Sequence, residues 1–185
     1  MNSLWYLFEQ EFSEEVCKEV FSYWDDIQAM RGKVAEDPED NAHIRNSKII
    51  KCPYGSSAQN EFSKLLEPYI TVANRECFGF NLNGFCEFQI AEYSRGDFYI
   101  EHLDIGLNDT ESQRKLSVTL QLTDPNTYQG GDFSFASSIN TPSIDSIRKQ
   151  GSILVFPSFL PHSINKVREG KRYALVGWYE GKKGC

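Results

Sequence analysis

From about residue 83 onward the chain alternates apolar and polar positions; before that it does not. The segments "GFCEFQIAEY", "DFYIEHLD", "KLSVTLQLTD", "GGDFSFA", "GSILVFPS", "HSINKV" and "RYALVGWYE" each place apolar residues two apart. In an extended chain, positions i and i+2 share a face, so these segments read as half-buried strands. Turn residues separate them at Ser94–Asp97, Asp124–Asn126, Gly130–Gly131, Gly151, Pro157–Ser158 and Glu169–Gly170. Short strands this closely spaced predict a sandwich or barrel, and a jelly roll fits best.

The front of the chain carries the helical period instead. Ser13 followed by acids reads as a helix start, and Val16, Val20, Tyr23, Trp24 and Ile27 then mark one face. A second helix is expected over residues 55–77, with Phe62, Leu65, Leu66, Ile70 and either Val72 or Ala73 facing inward. Between them, residues 30–45 are polar and acidic with Pro38, which predicts a flexible surface loop, and "IRNSKIIKC" after it reads as a strand. The expected fold is mainly β with N-terminal helices (α+β). Residues 1–185 form one domain, with 1–80 a helical buttress carrying the flexible loop and 83–181 the jelly-roll core.

Composition narrows the function. At 185 residues and 40% hydrophobic content, the chain can bury the core of one domain. A formal charge of −7 argues against nucleic-acid binding, which needs a basic footprint. No apolar run is long enough to span a membrane. The N-terminus has acids and no basic stretch, so no secretory signal is read there, and the Asn108–Thr110 sequon is taken as chance. The five cysteines are scattered without a C-x-x-C pair, which suits a reducing cytoplasm. A monomer is expected.

The chain has only three histidines, and two sit in strand segments. His102 and Asp104 lie two apart in "DFYIEHLD", so both side chains face one way. That pair alone reads as a histidine bonded to a nearby acid. His162, after the Pro157–Ser158 turn, changes the picture. Two histidines and one carboxylate on a β-scaffold form a facial triad that binds ferrous iron and leaves three coordination positions open. The remaining histidine, His43, reads as a surface residue. Arg172 supplies a further clue. If the turn at Arg168–Gly170 is centred on Glu169, Arg172 pairs with Lys166, on the face of His162 and about 13 Å from it. That span suits a five-carbon diacid, one end on the metal and the other in the guanidinium fork. Trp178 falls on the same face.

These residues carry a resemblance. "YSRGDFYIEHLD", "RKLSVTLQLTDPNTYQGGDFSF", "GSILVFPSFLPHSINKV" and "GKRYALVGWYEG" resemble the iron(II)- and 2-oxoglutarate-dependent dioxygenases, specifically the prolyl 4-hydroxylase-like group. The pattern Y-x-x-G-x-x-Y-x-x-H-x-D is met by Tyr93, Gly96, Tyr99, His102 and Asp104. The resemblance implies a double-stranded β-helix, with His102, Asp104 and His162 as both metal ligands and catalytic centre. It implies that Arg172 anchors the distal carboxylate of 2-oxoglutarate and that Tyr93 bonds the end near the metal. Gln121 stands where some relatives place a tyrosine bonding the distal carboxylate, which implies an amide hydrogen bond there. Tyr99, Arg114 and Trp178 match substrate-contacting positions, although aromatics at period two also serve as ordinary core, and both readings stand for Tyr99 and Trp178. The implied reaction couples decarboxylation of 2-oxoglutarate to hydroxylation of an unactivated C–H bond. Fe(II) is the cofactor, dioxygen the second cosubstrate and ascorbate a reductant. The implied substrate is a prolyl residue in a protein or peptide, with residues 30–45 folding over it. The alternatives are a free amino acid or other small molecule, and a non-catalytic jelly roll that binds a metal or sugar.

Overall fold

The computed structural model describes residues 4–31, 44–106, 113–137 and 139–182. His43, the sequon and most of the expected flexible loop lie outside them. Among the described residues, three α-helices and twelve strands follow in chain order: β1 (Tyr6–Phe8), α1 (Glu14–Arg31), β2 (Arg45–Asn46), β3 (Lys48–Lys51), α2 (Ser57–Ala73), β4 (Leu82–Tyr93), β5 (Phe98–His102), β6 (Arg114–Gln121), β7 (Gln129–Gly130), β8 (Phe133–Phe135), α3 (Ile144–Arg148), β9 (Ile153–Pro157), β10 (His162–Ile164), β11 (Val167–Glu169) and β12 (Arg172–Gly181). The strands β1 and β7 and the one-turn helix α3 are too short to show a period.

Both long helices start on serines. The Ser13 hydroxyl accepts from the Val16 N–H at 3.4 Å, and the Ser56 hydroxyl from the Gln59 N–H at 3.2 Å. In α1 the buried face is Cys17, Val20 and Trp24, with Val16 only half-buried. The face is therefore turned one residue from the expected one, because a thiol buries as readily as an aliphatic side chain. In α2, Phe62, Leu66, Ile70 and Ala73 are buried and Leu65 is half-exposed. Ala73 faces inward rather than Val72.

All strand pairings are antiparallel. A six-stranded sheet runs β1-β9-β6-β12-β4-β3, a four-stranded sheet runs β2-β5-β10-β8, and β11 and β7 form a separate ribbon. This is the expected jelly roll. The large sheet uses its two faces differently. Phe88, Ile90, Leu116, Val118, Leu120, Ile153, Val155 and Leu175 pack beneath α1 and α2. Neighbouring positions on the opposite face, Ala91, Tyr93, Leu154 and Phe156, meet Phe133, Phe135 and Ile164 of the smaller sheet. Period two thus separates a helix-covered side from the interior where a site can form.

Two expectations change. "IRNSKIIKC" is two strands, not one: β2 joins β5 in the small sheet and β3 joins β4 in the large one. The first 80 residues therefore contribute to both sheets as well as supplying helices. The hairpin expected to pair Arg172 with Lys166 does not form. Arg172 lies opposite Tyr93 on β4, whereas His162 lies on β10 in the facing sheet. The chain leaves the small sheet after β10, and the turn after β11 carries it from the β7–β11 ribbon into the large sheet. Gly170 makes that turn at φ 69°, where a Cβ would lie 2.2 Å from the Thr127 carbonyl oxygen. His162 and Arg172 still face each other, across the sandwich instead of along a strand. Among the described residues no helix is long and apolar enough to cross a membrane.

The Gly170 turn is directly testable. Gly170→Ala meets both an unfavourable backbone region and a backbone clash, so it should lower unfolding stability by about 1–3 kcal/mol. Urea unfolding followed by tryptophan fluorescence measures the shift, and an unchanged midpoint would show that the crossover does not need this glycine.

Candidate active site

His102 ends β5 and His162 begins β10, and the two residues are direct partners in the ladder between those strands. Cross-strand pairing brings side chains on one face close together, and here the ring centroids are 4.2 Å apart. Asp104 lies just past the end of β5. Its N–H donates to the Ser158 carbonyl at 3.0 Å, which binds it to the loop after β9. The Ser117 hydroxyl donates to Asp104 Oδ2 at 2.6 Å and lies 3.0 Å from the Ser158 hydroxyl.

The imidazoles are oriented by backbone carbonyls. His102 Nδ1 lies 2.9 Å from the Ile100 oxygen and His162 Nδ1 lies 2.9 Å from the Leu160 oxygen. A carbonyl only accepts, so both Nδ1 atoms donate to it and each ring turns its Nε2 toward Asp104. The two Nε2 atoms approach the Asp104 oxygens at 3.6 and 3.5 Å. One donor atom from each of the three residues falls within 4.8 Å of the others. Two imidazole nitrogens and a carboxylate oxygen, converging with their second nitrogens already satisfied, fit a divalent iron site. Tyr99 stacks on His102, with centroids 3.4 Å apart and planes 13° from parallel, while Phe133 and Phe156 flank His162.

Burial alone would raise the Asp104 carboxyl, but His162, His102 and the Ser117 hydroxyl outweigh it and hold the group well below the usual carboxylate range. Burial pushes His162 below its ordinary value, and Asp104 only partly offsets this. Both shifts favour the forms that bind a metal, an ionised carboxylate and a neutral imidazole.

The three residues open on a cavity of about 410 Å³ between the sheets, which Tyr93, Tyr99, Arg114, Arg172 and Trp178 also line. Arg172 is 3% exposed, and its guanidinium lies 5.7 Å from the Tyr93 ring centre. Its Nε donates to Gln121 Oε1 at 3.1 Å. Among the described residues no carboxylate lies within ion-pair distance of it. A buried charge without a counterion is costly, so this one calls for an anionic ligand.

Gln121 is placed differently from expectation. Its Nε2 donates to the Thr123 carbonyl and the Tyr128 hydroxyl, each at 3.1 Å. An arginine Nε only donates, so the atom facing it must be the amide oxygen. Both amide N–H groups are thus engaged away from the cavity, and Gln121 is not among the cavity-lining residues. The amide bond to a distal carboxylate, expected from the sequence, is replaced by a bond to Arg172.

Arg114 spans two parts of the site. Its guanidinium lies 4.1 Å above the Trp178 ring, Nη1 donates to the Asp104 carbonyl at 3.1 Å, and Nη2 pairs with Glu87 at 3.3 Å. Arg114 Nε and Trp178 Nε1 are buried without partners among the described residues. Tyr99 and Trp178 each line the cavity and also pack, Tyr99 on His102 and Trp178 under Arg114. Sequence reasoning overlooked Ser117, Ser158 and Tyr128. A small polar residue inside the apolar run "KLSVTLQL" was the available signal for Ser117, whereas Ser158 and Tyr128 gave none beyond turn chemistry.

Residues 88–180 match the 2OG-Fe(II) oxygenase superfamily. The chain belongs to this family. It is 37% identical over 160 residues to a PKHD-type hydroxylase of Prochlorococcus marinus, covering 86% of this chain and 67% of that protein. It spans 38% and 62% of the lengths of two further PKHD-type hydroxylases, from Hyphomonas neptunium and a Synechococcus species, so the chain covers about two thirds or less of these curated relatives. Among solved structures, a Pseudomonas putida prolyl-4-hydroxylase superposes with a TM-score of 0.70 at 22% identity, covering 97% of this chain and 94% of that one. A prolyl hydroxylase from Trichoplax adhaerens, in complex with a hypoxia inducible factor oxygen degradation domain peptide fragment, superposes with a TM-score of 0.70 at 19% identity, covering 96% and 84%. Both likenesses establish the shared fold. Family membership brings Fe(II) as cofactor and 2-oxoglutarate as cosubstrate.

The Ser117 hydroxyl should matter to the metal without touching it. Ser117→Ala removes one hydrogen bond from Asp104 and should weaken divalent-metal affinity by about ten-fold. Titration of the metal-free protein with Mn(II) measures this, and unchanged affinity would remove Ser117 from the support of the site.

Proposed function

We propose that the protein is an Fe(II)- and 2-oxoglutarate-dependent hydroxylase that acts on a prolyl residue in a protein or peptide. The observation that carries the class is the buried, unneutralised Arg172 sharing one cavity with the His102–Asp104–His162 cluster. A jelly roll that only bound a metal or a sugar would have no use for such a cation.

In this reading His102, Asp104 and His162 hold the iron, leaving positions for 2-oxoglutarate and dioxygen. Iron bound there would supply the oxidative chemistry by which dioxygen and 2-oxoglutarate give succinate and carbon dioxide while the second oxygen atom enters a C–H bond, and ascorbate would serve as an external reductant. The chain itself binds, orients and shields. Arg172 grips the distal carboxylate of the cosubstrate, and the Tyr93 phenol contributes a hydrogen bond. Tyr99, Phe133 and Phe156 brace the imidazoles so that the ligand set is formed before substrate arrives. Arg114 couples the substrate end to the metal end, since one side chain touches both Trp178 and the Asp104 backbone.

A peptide is supported by the two prolyl hydroxylases that share the fold, one of them bound to a peptide. It is also supported by the orphaned Arg114 Nε and Trp178 Nε1, two buried donors at the end away from Arg172 that suit peptide carbonyls. Incubating the enzyme with proline-containing peptide libraries, Fe(II) and 2-oxoglutarate should give a peptide one oxygen heavier, located on proline by fragmentation. Succinate release with only free amino acids or other small molecules as acceptors would keep the reaction class and overturn the peptide assignment.

Two substitutions test the residue roles. His162→Ala should abolish turnover and tight Mn(II) binding while the protein stays folded; wild-type activity in that variant would remove the triad. Arg172→Ala should weaken 2-oxoglutarate binding by about thirty-fold or more, with metal affinity nearly unchanged. Calorimetric titration of 2-oxoglutarate into the Mn(II)-loaded, anaerobic protein gives the answer directly.

A further inference from the structure

Arg114 and Arg148 each face a carboxylate, Glu87 and Asp132 respectively. Among the described residues Arg172 does not. It is 3% exposed, and the one polar side-chain partner found for it among those residues is the neutral amide of Gln121, itself 3% exposed. We propose that Gln121 is a positioning residue for the cosubstrate. It aims the Arg172 guanidinium while leaving its charge free, and it has no contact with 2-oxoglutarate itself. This rests on the reading of Arg172 as the anchor for the distal carboxylate.

A guanidinium binds a carboxylate best through two parallel N–H groups, so its plane must be fixed in advance. A long flexible side chain held only by burial would have to be ordered during binding, at a cost in affinity. The bond from Nε to Gln121 Oε1 fixes that plane and leaves the terminal nitrogens for the ligand. The amide is itself held at its other end by the Thr123 carbonyl and the Tyr128 hydroxyl. Tyr128 is 4% exposed, its ring lies under the Arg148 guanidinium at 4.3 Å, and its carbonyl accepts from Arg148 Nη2 at 3.1 Å. Arg148 is tied in turn to Asp132 and the Gly130 carbonyl. The chain of contacts therefore ends on a paired ion, and Gln121 has no freedom to turn its N–H groups into the cavity. Gly131 lets the ribbon approach: a Cβ there would lie 3.2 Å from Arg172 Cδ.

The neutrality of Gln121 is as important as its shape. A glutamate of the same length would accept from Nε equally well. It would also supply the missing counterion and compete with the incoming dianion.

The experiment measures 2-oxoglutarate affinity calorimetrically on anaerobic, Mn(II)-loaded protein, with Mn(II) affinity and thermal melting followed in parallel. Gln121→Leu should weaken 2-oxoglutarate by about ten-fold, the lower end of the effect of one hydrogen bond to a charged group. It should raise the cosubstrate KM and leave kcat at saturation nearly unchanged. Gln121→Glu should weaken binding further, by about thirty-fold or more, while melting no lower than wild type. Tyr128→Phe, which frees the amide without removing it, should cost about two- to three-fold. The deciding measurement is the double variant. In an Arg172→Ala background, Gln121→Leu should add less than about two-fold, because Gln121 acts only through Arg172. A loss from Gln121→Leu that persists in full without Arg172 would overturn the proposal and restore direct contact with the cosubstrate. Wild-type affinity in Gln121→Glu would overturn the argument from charge. Unchanged binding in Arg172→Ala alone would refute the anchor itself, an outcome distinct from either of these.

Discussion

His102 and His162 meet because β5 and β10 pair with these two residues opposite each other, the register shifting by one residue between His162 and Ile164. Side chains alternate faces along a strand, so a slip of one residue would turn one imidazole out of the sandwich. Everything else at the metal end builds on that pair. The carbonyls of Ile100 and Leu160 set the two rings, each acting two residues back along its own chain. Asp104 is then drawn beneath both Nε2 atoms by Ser117 and the Ser158 carbonyl. Hydrophobic packing holds the register in turn, since Phe133, Phe135 and Phe156 fill the space beside His162.

A second organising feature is how charge is distributed in the cavity. Asp104 is ionised and nearly buried, held so by His162, His102 and the Ser117 hydroxyl against the cost of burial. Arg172 is cationic and buried, and it is held by a neutral group. The fold therefore keeps a buried anionic group at one end of the cavity and, at the other, a buried cation with no carboxylate partner among the described residues. Buried charge of this kind is costly, and binding of groups of opposite charge would offset that cost. Arg114, by contrast, has a counterion in Glu87 and lies over the face of Trp178, although its Nε is buried without a partner among the described residues.

The sandwich also explains why helices and site do not interfere. α1 and α2 cover one face of the large sheet, and the cavity occupies the other. The apolar contacts that stabilise the domain lie mostly on the helix-covered face. The cavity face can then hold charged and polar groups without stripping the core.

The sequence by itself determined the strand-rich back and the helical front, and it picked out the three residues that the fold brings together as a candidate metal site. Period-two alternation is a local property, and facing requirements make it visible in "DFYIEHLD" and "RYALVGWYE". The His102–Asp104 spacing and the distal His162 were legible for the same reason: a ligand set needs particular residue types, and only three histidines were available. Tertiary structure decided the rest. Whether "IRNSKIIKC" was one strand or two depended on which sheet edges lay within reach, which no local pattern records. The position of Arg172 depended on a crossover at Gly170 that carries the chain into the large sheet, so a hairpin inferred from turn residues put its strand beside the wrong neighbour. Gln121 shows the limit most clearly. Its place on the strand was readable, but the direction of its amide was set by an arginine, a carbonyl and a tyrosine from three other positions. A side chain with a donor at one corner and an acceptor at the other takes its role from whatever surrounds it, and those surroundings exist only once the chain has folded.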